Sequence, residues 1–347
     1  MTLGAADTQA TATELPADHL ADTSEARIEG RSLGQIAWAR LKKDRVAVVS
    51  AVVIVVVVLV AVLAPLIVKI NGFGPDVFNR FGPDGKPLLD SAKGGLPAGG
   101  LWGSGISGKH WLGIEPQNGR DIFSRLVYGT RTSLLVALGG TVFAVVLGTI
   151  AGMVSGYFRG WVDAVLARVM DIMLSFPQLL FIMAMTPVIA DRAKAVFGIE
   201  DTNVLRMGVL MFVLGFFGWA YLARIVRGQT LSVREREFVE AARSLGAGPN
   251  YVIFKQILPN LIPTLLVYTT LLIPAYITAE AVLSYLGVGV KEPTSSWGTM
   301  IADASQWYEF DPLYLFFPGM ALFIVVLAFN LLGDSVRDAL DPRAGRG

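Results

Sequence analysis

The 347-residue chain has no cysteine and two histidines, His19 and His110. That removes disulfides, thiolate metal sites and cysteine nucleophiles, and it leaves no His-rich metal or acid–base cluster. No Ser/His/Asp set, HExxH or adjoining pair of catalytic carboxylates is found, so an enzyme is the weakest reading. A phosphate-binding GxxxxGK(S/T) loop is missing as well. Gly85-Lys86 is followed by Pro87 and Gly108-Lys109 by His110, so any ATP and its Mg²⁺ belong on another chain. The remaining chemistry-bearing groups are charges at or inside apolar runs: Asp163, Arg168 and Asp171 near the start of one run and Glu280 within another. A charge at the centre of a bilayer costs about 2.5–3.5 kcal/mol on insertion scales, so each of these should face protein or water. Arg168 and Asp171, three residues apart, predict a neutralising pair on one helix face. Glu280 reads first as a helix-packing or gating hydrogen bond, then as a substrate contact, and last as a proton-coupling group. Asp171, Gln178 and Glu280 are the candidates for a pore or gate.

Those charges sit in a chain that is 53% hydrophobic and 16% charged, against about 45–50% and about 25% in an ordinary soluble domain. An all-α polytopic membrane protein follows. About 20 apolar residues cross a bilayer core of roughly 30 Å, and six runs reach or approach that length: Val46 to Val68, Ser133 to Phe158, Ile172 to Ala190, Met207 to Ala223, Leu261 to Leu286 and Leu313 to Leu332. The first run starts too late and is too long for a secretory leader, so it reads as a retained span. Arg31, Arg40, Lys42, Lys43 and Arg45 precede it, which puts the N-terminus in the cytoplasm under the positive-inside rule. Six spans return the C-terminus to that side. The loop with Arg224, Arg227, Arg234, Arg236, Arg243 and Lys255, and the tail with Arg337, Arg343 and Arg346, then also fall inside. The first outer segment carries Lys69, Arg80, Lys86, Lys93, Lys109, Arg120 and Arg125, an exception in a segment long enough for the rule to lose force.

The organisation expected is therefore a disordered cytoplasmic tail over 1–30, an interfacial or basic segment over 31–45, the first span over 46–68 and an extracytoplasmic segment over 69–130. A core over 131–334 holds five spans, and a cytoplasmic tail covers 335–347. Leu33, Ile36, Ala37 and Leu41 can line one face of a helix lying on the inner leaflet, or the segment can be an unstructured basic flank. The GPDG sequence at Gly82 to Gly85 signals a turn in a small hairpin. No repeat relates the first three spans to the last three, which counts against an inverted-repeat carrier.

The most informative stretch is SVREREFVEAARSLGAGPNYVIFKQILPN from Ser232, filling 232–259. The Ser232 and Glu235 spacing is that of a capping box and predicts a helix starting just after Ser232. Phe238, Ala241, Ala242 and Leu245 fall on one apolar stripe, with Arg236, Glu240 and Arg243 opposite. Gly246 is placed to end this helix in the left-handed conformation. Gly248 and Pro249 begin a second short helix running to Pro259. By itself, the pattern fits equally an amphipathic loop packed on its own membrane domain and a docking element.

EAARSLGAG from Glu240 and ILP at Ile257 to Pro259 resemble the EAA loop of permease subunits of ABC importers. GRDIFSRLVYGTRTSL from Gly119, DIMLSFPQLL from Asp171, AEAVLSYLGVGV from Ala279 and SSWGTMIADA from Ser295 are similar to the C-type permease subunit of the dipeptide/oligopeptide/nickel import family, over about residues 31–342. The stretch HWLGIEPQNGRD from His110 departs from that family's pattern. The resemblance implies a type I importer fold of the methionine-importer permease kind, in the plasma membrane of a prokaryote. It also implies a second permease subunit, two cytoplasmic ATPase subunits holding ATP and Mg²⁺, an extracytoplasmic substrate-binding protein, surrounding lipid, and no nucleic acid. The EAA loop is then a coupling helix docking on the ATPase, and the role falls on Glu240, Ala241, Ala242, Arg243, Leu245 and Gly246. The cargo implied is a dipeptide or oligopeptide; nickel chelates or another small solute are the alternative. An ion-coupled secondary carrier is the competing reading from another class.

Because the chain lacks cysteine, single substitutions report the orientation directly. Asp90→Cys and Ser305→Cys should react with an impermeant thiol reagent added outside, and Ser244→Cys only after permeabilisation. Labelling of Ser244→Cys in intact cells would invert the topology.

Overall fold

A computed structural model describes residues 33–82, 84–100, 103–198 and 203–341. The predicted N-terminal tail, Arg31, Pro83 of the GPDG turn, Arg343 and Arg346 lie outside the described residues. Helix α1 (Leu33–Leu41) forms where the amphipathic pattern allowed one. Arg40 at its end donates to the carbonyls of Ala339 and Asp341, the latter at 3.0 Å, a cation at the C-terminal end of another helix. Asp44 then caps α2 (Arg45–Val62) by accepting from the Val46 N–H at 2.9 Å.

The first apolar run is not one helix. The chain breaks at Leu63 and restarts as α3 (Ala64–Asn71), with Pro65 in its first turn. Pro lacks the N–H that would continue α2, yet suits a helix start. Gly72 at φ +83° ends α3. The hairpin excursion is present: Phe81 bridges Pro87, and β1 (Leu89–Asp90) pairs antiparallel with β2 (Leu96–Pro97).

Helix α4 (Ile122–Phe158) starts earlier than the apolar run suggested, within the expected outer segment 69–130. Asp121 makes that possible by capping the Ser124 N–H at 2.8 Å. At 37 residues and 1.5 Å each, α4 is about 55 Å long and outruns a ~30 Å hydrocarbon core at one or both ends. The third run is broken too. Helices α5 (Gly160–Ser175) and α6 (Gln178–Phe197) meet at 93°, because Phe176 is extended before Pro177, as the ring of a following proline requires. Helix α7 (Asn203–Arg234) extends well past the predicted span.

After α8 (Glu237–Ser244), the short α9 (Pro249–Tyr251) passes through a π-helical turn at Val252–Ile257 into α10 (Leu258–Tyr285). The second helix of the loop therefore does not stop at Pro259. Pro259 lies in the first turn of α10, where a missing donor is tolerated, and the Leu258 N–H reaches back to the Ile253 carbonyl. Helix α11 (Trp297–Ala304) carries a capping box between Ser296 and Thr299. Helix α12 (Pro312–Leu340) runs into the segment expected to be a tail from 335, closed by the Arg40 contacts.

Among the described residues, five helices are long and apolar enough to cross a membrane, and the bent α5–α6 pair makes a sixth if counted as one span. Helix α7 is central and α2 peripheral: 61% and 17% of their most apolar stretches are buried. Helices α4 and α7 approach closely at Gly148, Gly152 and Gly156, spaced by four. A side chain at Gly152 would stand 2.6 Å from the Ala223 carbonyl oxygen. Small residues at this spacing let helices gain packing contacts where lipid supplies no hydrophobic drive.

Candidate functional site

The sequence singled out the loop between α7 and α10, and the structure rebuilds it with different edges. Ser232 does not cap a helix. It lies in the last turn of α7, which continues to Arg234, and α8 begins only at Glu237 after Arg236, without a side-chain cap. A capping box is needed only where amides lose their helical partners, and Ser232 is not such a place. The far end follows the expectation: Gly246 has φ +87°. Its N–H bonds to the Arg243 carbonyl at 2.9 Å, and that of Ala247 to Ala242 at 3.0 Å, which is the Schellman arrangement.

One residue the sequence pattern did not single out, Val239, anchors α8. It is fully buried and packs in a cluster with Val233, Val226, Val252, Ile253 and Ile257. On the same face, the Arg243 guanidinium lies 5.0 Å from the Tyr157 ring centroid, and Arg234 donates to the Tyr157 carbonyl at 2.5 Å. Arg159 pairs with Glu235. The predicted apolar stripe faces away. Phe238, Ala241 and Glu240 are exposed, Ala242 is half-buried, and Leu245 is 89% exposed. Together with Gly246, Tyr251 and Gln256, this stripe lines an open groove of about 680 Å³. The loop is thus not packed on its own domain through its apolar stripe.

The three pore or gate candidates sit in different surroundings. Asp171 does not pair with Arg168, which is exposed; it pairs across helices with Arg224 of α7. The cross-helix partner wins because α7 lies against α5. Asp163 likewise meets Arg227 at 2.5 Å and accepts from Ser155 at 2.5 Å. Gln178 is the first residue of α6 and lines an aromatic recess with Phe176, Phe181, Phe216 and Phe217. Glu280 is fully buried and accepts from Ser133 and Ser284, both at 2.7 Å. Ser133 in turn accepts from the Trp297 N–H at 3.2 Å, so Glu280 ties α10 to α4 and α11.

At the opposite end lies an ion cluster that sequence reasoning missed. Glu115, 1% exposed, meets Arg120 at 2.5 Å and Arg125 at 2.5 Å and accepts from the Tyr314 hydroxyl at 2.8 Å. Arg120 also meets Glu292 at 2.5 Å, and Arg125 lies 3.5 Å from Asp303. Nearby, Asp121 holds His110 Nδ1 at 2.8 Å. Burial opposes the charge on Arg120, but Glu115 and Glu292 outweigh it and raise its pKa. Burial raises the Asp303 carboxyl to about 6 against the pull of Arg125. Two of the seven basic residues of this segment, Arg120 and Arg125, are therefore held in buried ion pairs. No local pattern announces this, since Glu292 is 172 residues from Arg120; the only signal was the departure of the stretch from His110.

The membrane transport reading gains direct support from related proteins. Residues 144–346 match the family "Binding-protein-dependent transport system inner membrane component", and residues 32–81 match "N-terminal TM domain of oligopeptide transport permease C". The chain is 34% identical over 308 residues to the dipeptide transport system permease protein DppC of Alkalihalophilus pseudofirmus, covering 88% of this chain and 89% of that one. It is 34% identical to the oligopeptide transport system permease protein OppC of Haemophilus influenzae, covering 92% and 91%. It is 38% identical to the glutathione transport system permease protein GsiD of Pectobacterium atrosepticum, covering 69% and 74%. A solved inward-facing structure of the MetNI methionine ABC transporter aligns at TM-score 0.50 and 19% identity over 63% of this chain and 98% of that one, a likeness of fold.

Glu115→Gln leaves two buried guanidinium groups short of countercharge, which costs about 3–5 kcal/mol for a broken buried pair, so thermal unfolding of the purified protein should move markedly down. Asp303 binds its proton more tightly in the fold than unfolded, so its contribution is full below about pH 4 and is lost as pH rises through about 6. Asp303→Asn should remove that part of the pH dependence; an unchanged profile would refute it.

Matched over more than half its length by one family and aligned with two of its members over 88% and 92% of its length, the chain belongs to the binding-protein-dependent transport system inner membrane components: it is the multi-pass permease subunit of an ABC importer and not its ATPase.

Proposed function

We propose that the chain is one of two related membrane subunits of a peptide importer, with α8 as the surface on which an ATPase subunit docks. The observation that carries this is the bare apolar face of a rigidly held helix, with Val239 buried beneath it and Leu245 exposed above. Burying a leucine side chain gives about 1.5–3 kcal/mol, a gain that this chain leaves for a partner. The role assigned by resemblance then divides: Phe238, Ala241, Ala242, Leu245 and Gly246 shape the docking face, Glu240 stands at its edge, and Arg243 anchors the helix to Tyr157. Displacement of α8 would pull on α7 on one side and, through the π-helical turn, on α10 on the other. Such a rigid-body linkage can turn closure of an ATPase pair into alternating access.

The relatives' names support peptide as cargo, since dipeptide, oligopeptide and glutathione are all peptides. The substrate-binding protein would meet the end bearing the ion cluster, and both termini would be cytoplasmic. Nickel chelates have no support among these three relatives. An ion-coupled carrier is disfavoured because Asp163, Asp171 and Glu280 are each occupied by an arginine or by hydroxyls.

Purified alone, the chain should not hydrolyse ATP, whereas the assembled transporter should, with binding protein and peptide stimulating turnover. Leu245→Glu, by losing apolar burial, and Ala241→Trp, by blocking close approach, should leave membrane levels near normal and weaken ATPase assembly about tenfold or more. Gly246→Val, which forces a branched residue to φ +87° at a cost of about 1–2 kcal/mol, should reduce uptake through the tilt of α8. Stimulated ATPase activity and uptake surviving all three at normal expression would sink the docking assignment.

A further inference from the structure

We infer that the elbow between α1 and α2 is a binding site for one anionic phospholipid, its phosphate held by Lys42, Lys43 and Arg45 and one acyl chain lying along α2. A groove of about 330 Å³ opens there, lined by Trp38 and Leu41 of α1, Val48, Val52 and Val56 of α2, and Leu332 of α12, with Lys42 at its edge. Its floor runs from Ala47 to Val56, about 14 Å of helix at 1.5 Å per residue. That is roughly the depth of one leaflet of a ~30 Å core, which fits a single chain entering from the surface.

The charge at its mouth is net positive, Lys42, Lys43 and Arg45 against the single carboxylate of Asp44. Lys42, Lys43 and Arg45 are exposed, and no carboxylate of the described residues pairs with them. Asp44 between them is occupied: it caps the Val46 N–H at 2.9 Å and accepts from the Ser335 hydroxyl at 2.6 Å. Arg40 is directed to the end of α12, so it does not share the phosphate. Lys42 is held 5.1 Å from the centroid of Trp38, itself 61% exposed, an amphipathic ring of the kind that sits at headgroup depth. Clusters of lysine and arginine beside a span attract anionic lipid. Here the apolar groove below them supplies what a general surface attraction lacks, a fixed place for the chain. The inference uses membrane insertion but not the cargo or the docking role of α8.

The test uses the assembled transporter in detergent, titrated with phosphatidylglycerol or phosphatidylcholine of matched chains and read by native mass spectrometry and by melting temperature. Phosphatidylglycerol should be retained and should raise the melting temperature more than phosphatidylcholine. Lys42→Glu with Lys43→Glu should abolish that preference, and Val52→Trp, which fills the groove without changing charge, should weaken retention at least several-fold. Equal retention of the two lipids, or a preference that survives both variants, overturns the site. A melting shift produced equally by glycerol phosphate would mean an anion site without a chain groove and overturns it too. So would cross-linking of Val52→Cys to the second membrane subunit, since a protein helix would then fill the groove.

Discussion

The close approach of α4 and α7 is the contact on which the rest of the molecule hangs. Three glycines at four-residue spacing remove the side chains that would hold the two backbones apart, and Gly152 sits where even a methyl group would strike the Ala223 carbonyl. These two helices carry elements of both ends. Helix α4 starts beside the ion cluster with Arg125 and ends at Tyr157, against which Arg243 of α8 and Arg234 of α7 are stacked. A displacement of α8 therefore acts on a seam that cannot slip by small adjustments, because small-residue interfaces in lipid depend on tight packing.

Charge is handled in the same economy. Three carboxylates that approach the spans have a named partner on a different helix: Asp163 with Arg227, Asp171 with Arg224, Glu280 with Ser133. Such pairs make helix packing specific, since an unpartnered polar group in hydrocarbon is costly. The ion cluster at the other end joins the segment before α4, the loop before α11, α11 itself and the start of α12 around Glu115. It holds together the ends of these elements remote from α8.

What the sequence made legible follows from which forces are local. Four of the six apolar runs, the turn at Gly246 and the stripe from Phe238 to Leu245 are written in neighbouring residues and are found as unbroken features. The run Val46 to Val68 hid its break because hydropathy is blind to the missing N–H of Pro65. The bend at Phe176-Pro177 was hidden in the same way, though both prolines were visible. The Arg168–Asp171 pair was predicted from spacing on one helix and lost to Arg224 on another. The ion cluster was illegible because its partners are brought together only by the fold. Val239 was passed over because a single valine in a charged segment shows no period; its burial depends on the π-helical turn bringing Val252 and Ile253 beside it.

The central claim is that the exposed apolar face of α8 is covered by the ATPase in the working transporter. Since the chain has no native cysteine, Leu245→Cys provides a single reporter on that face, and its rate of modification by a small maleimide reads its exposure. Labelling should be rapid in the isolated subunit, where Leu245 is 89% exposed, and suppressed once the ATPase subunits are assembled, while Ser91→Cys in the hairpin segment labels equally in both. Equal labelling of Leu245→Cys with and without the ATPase subunits would contradict it.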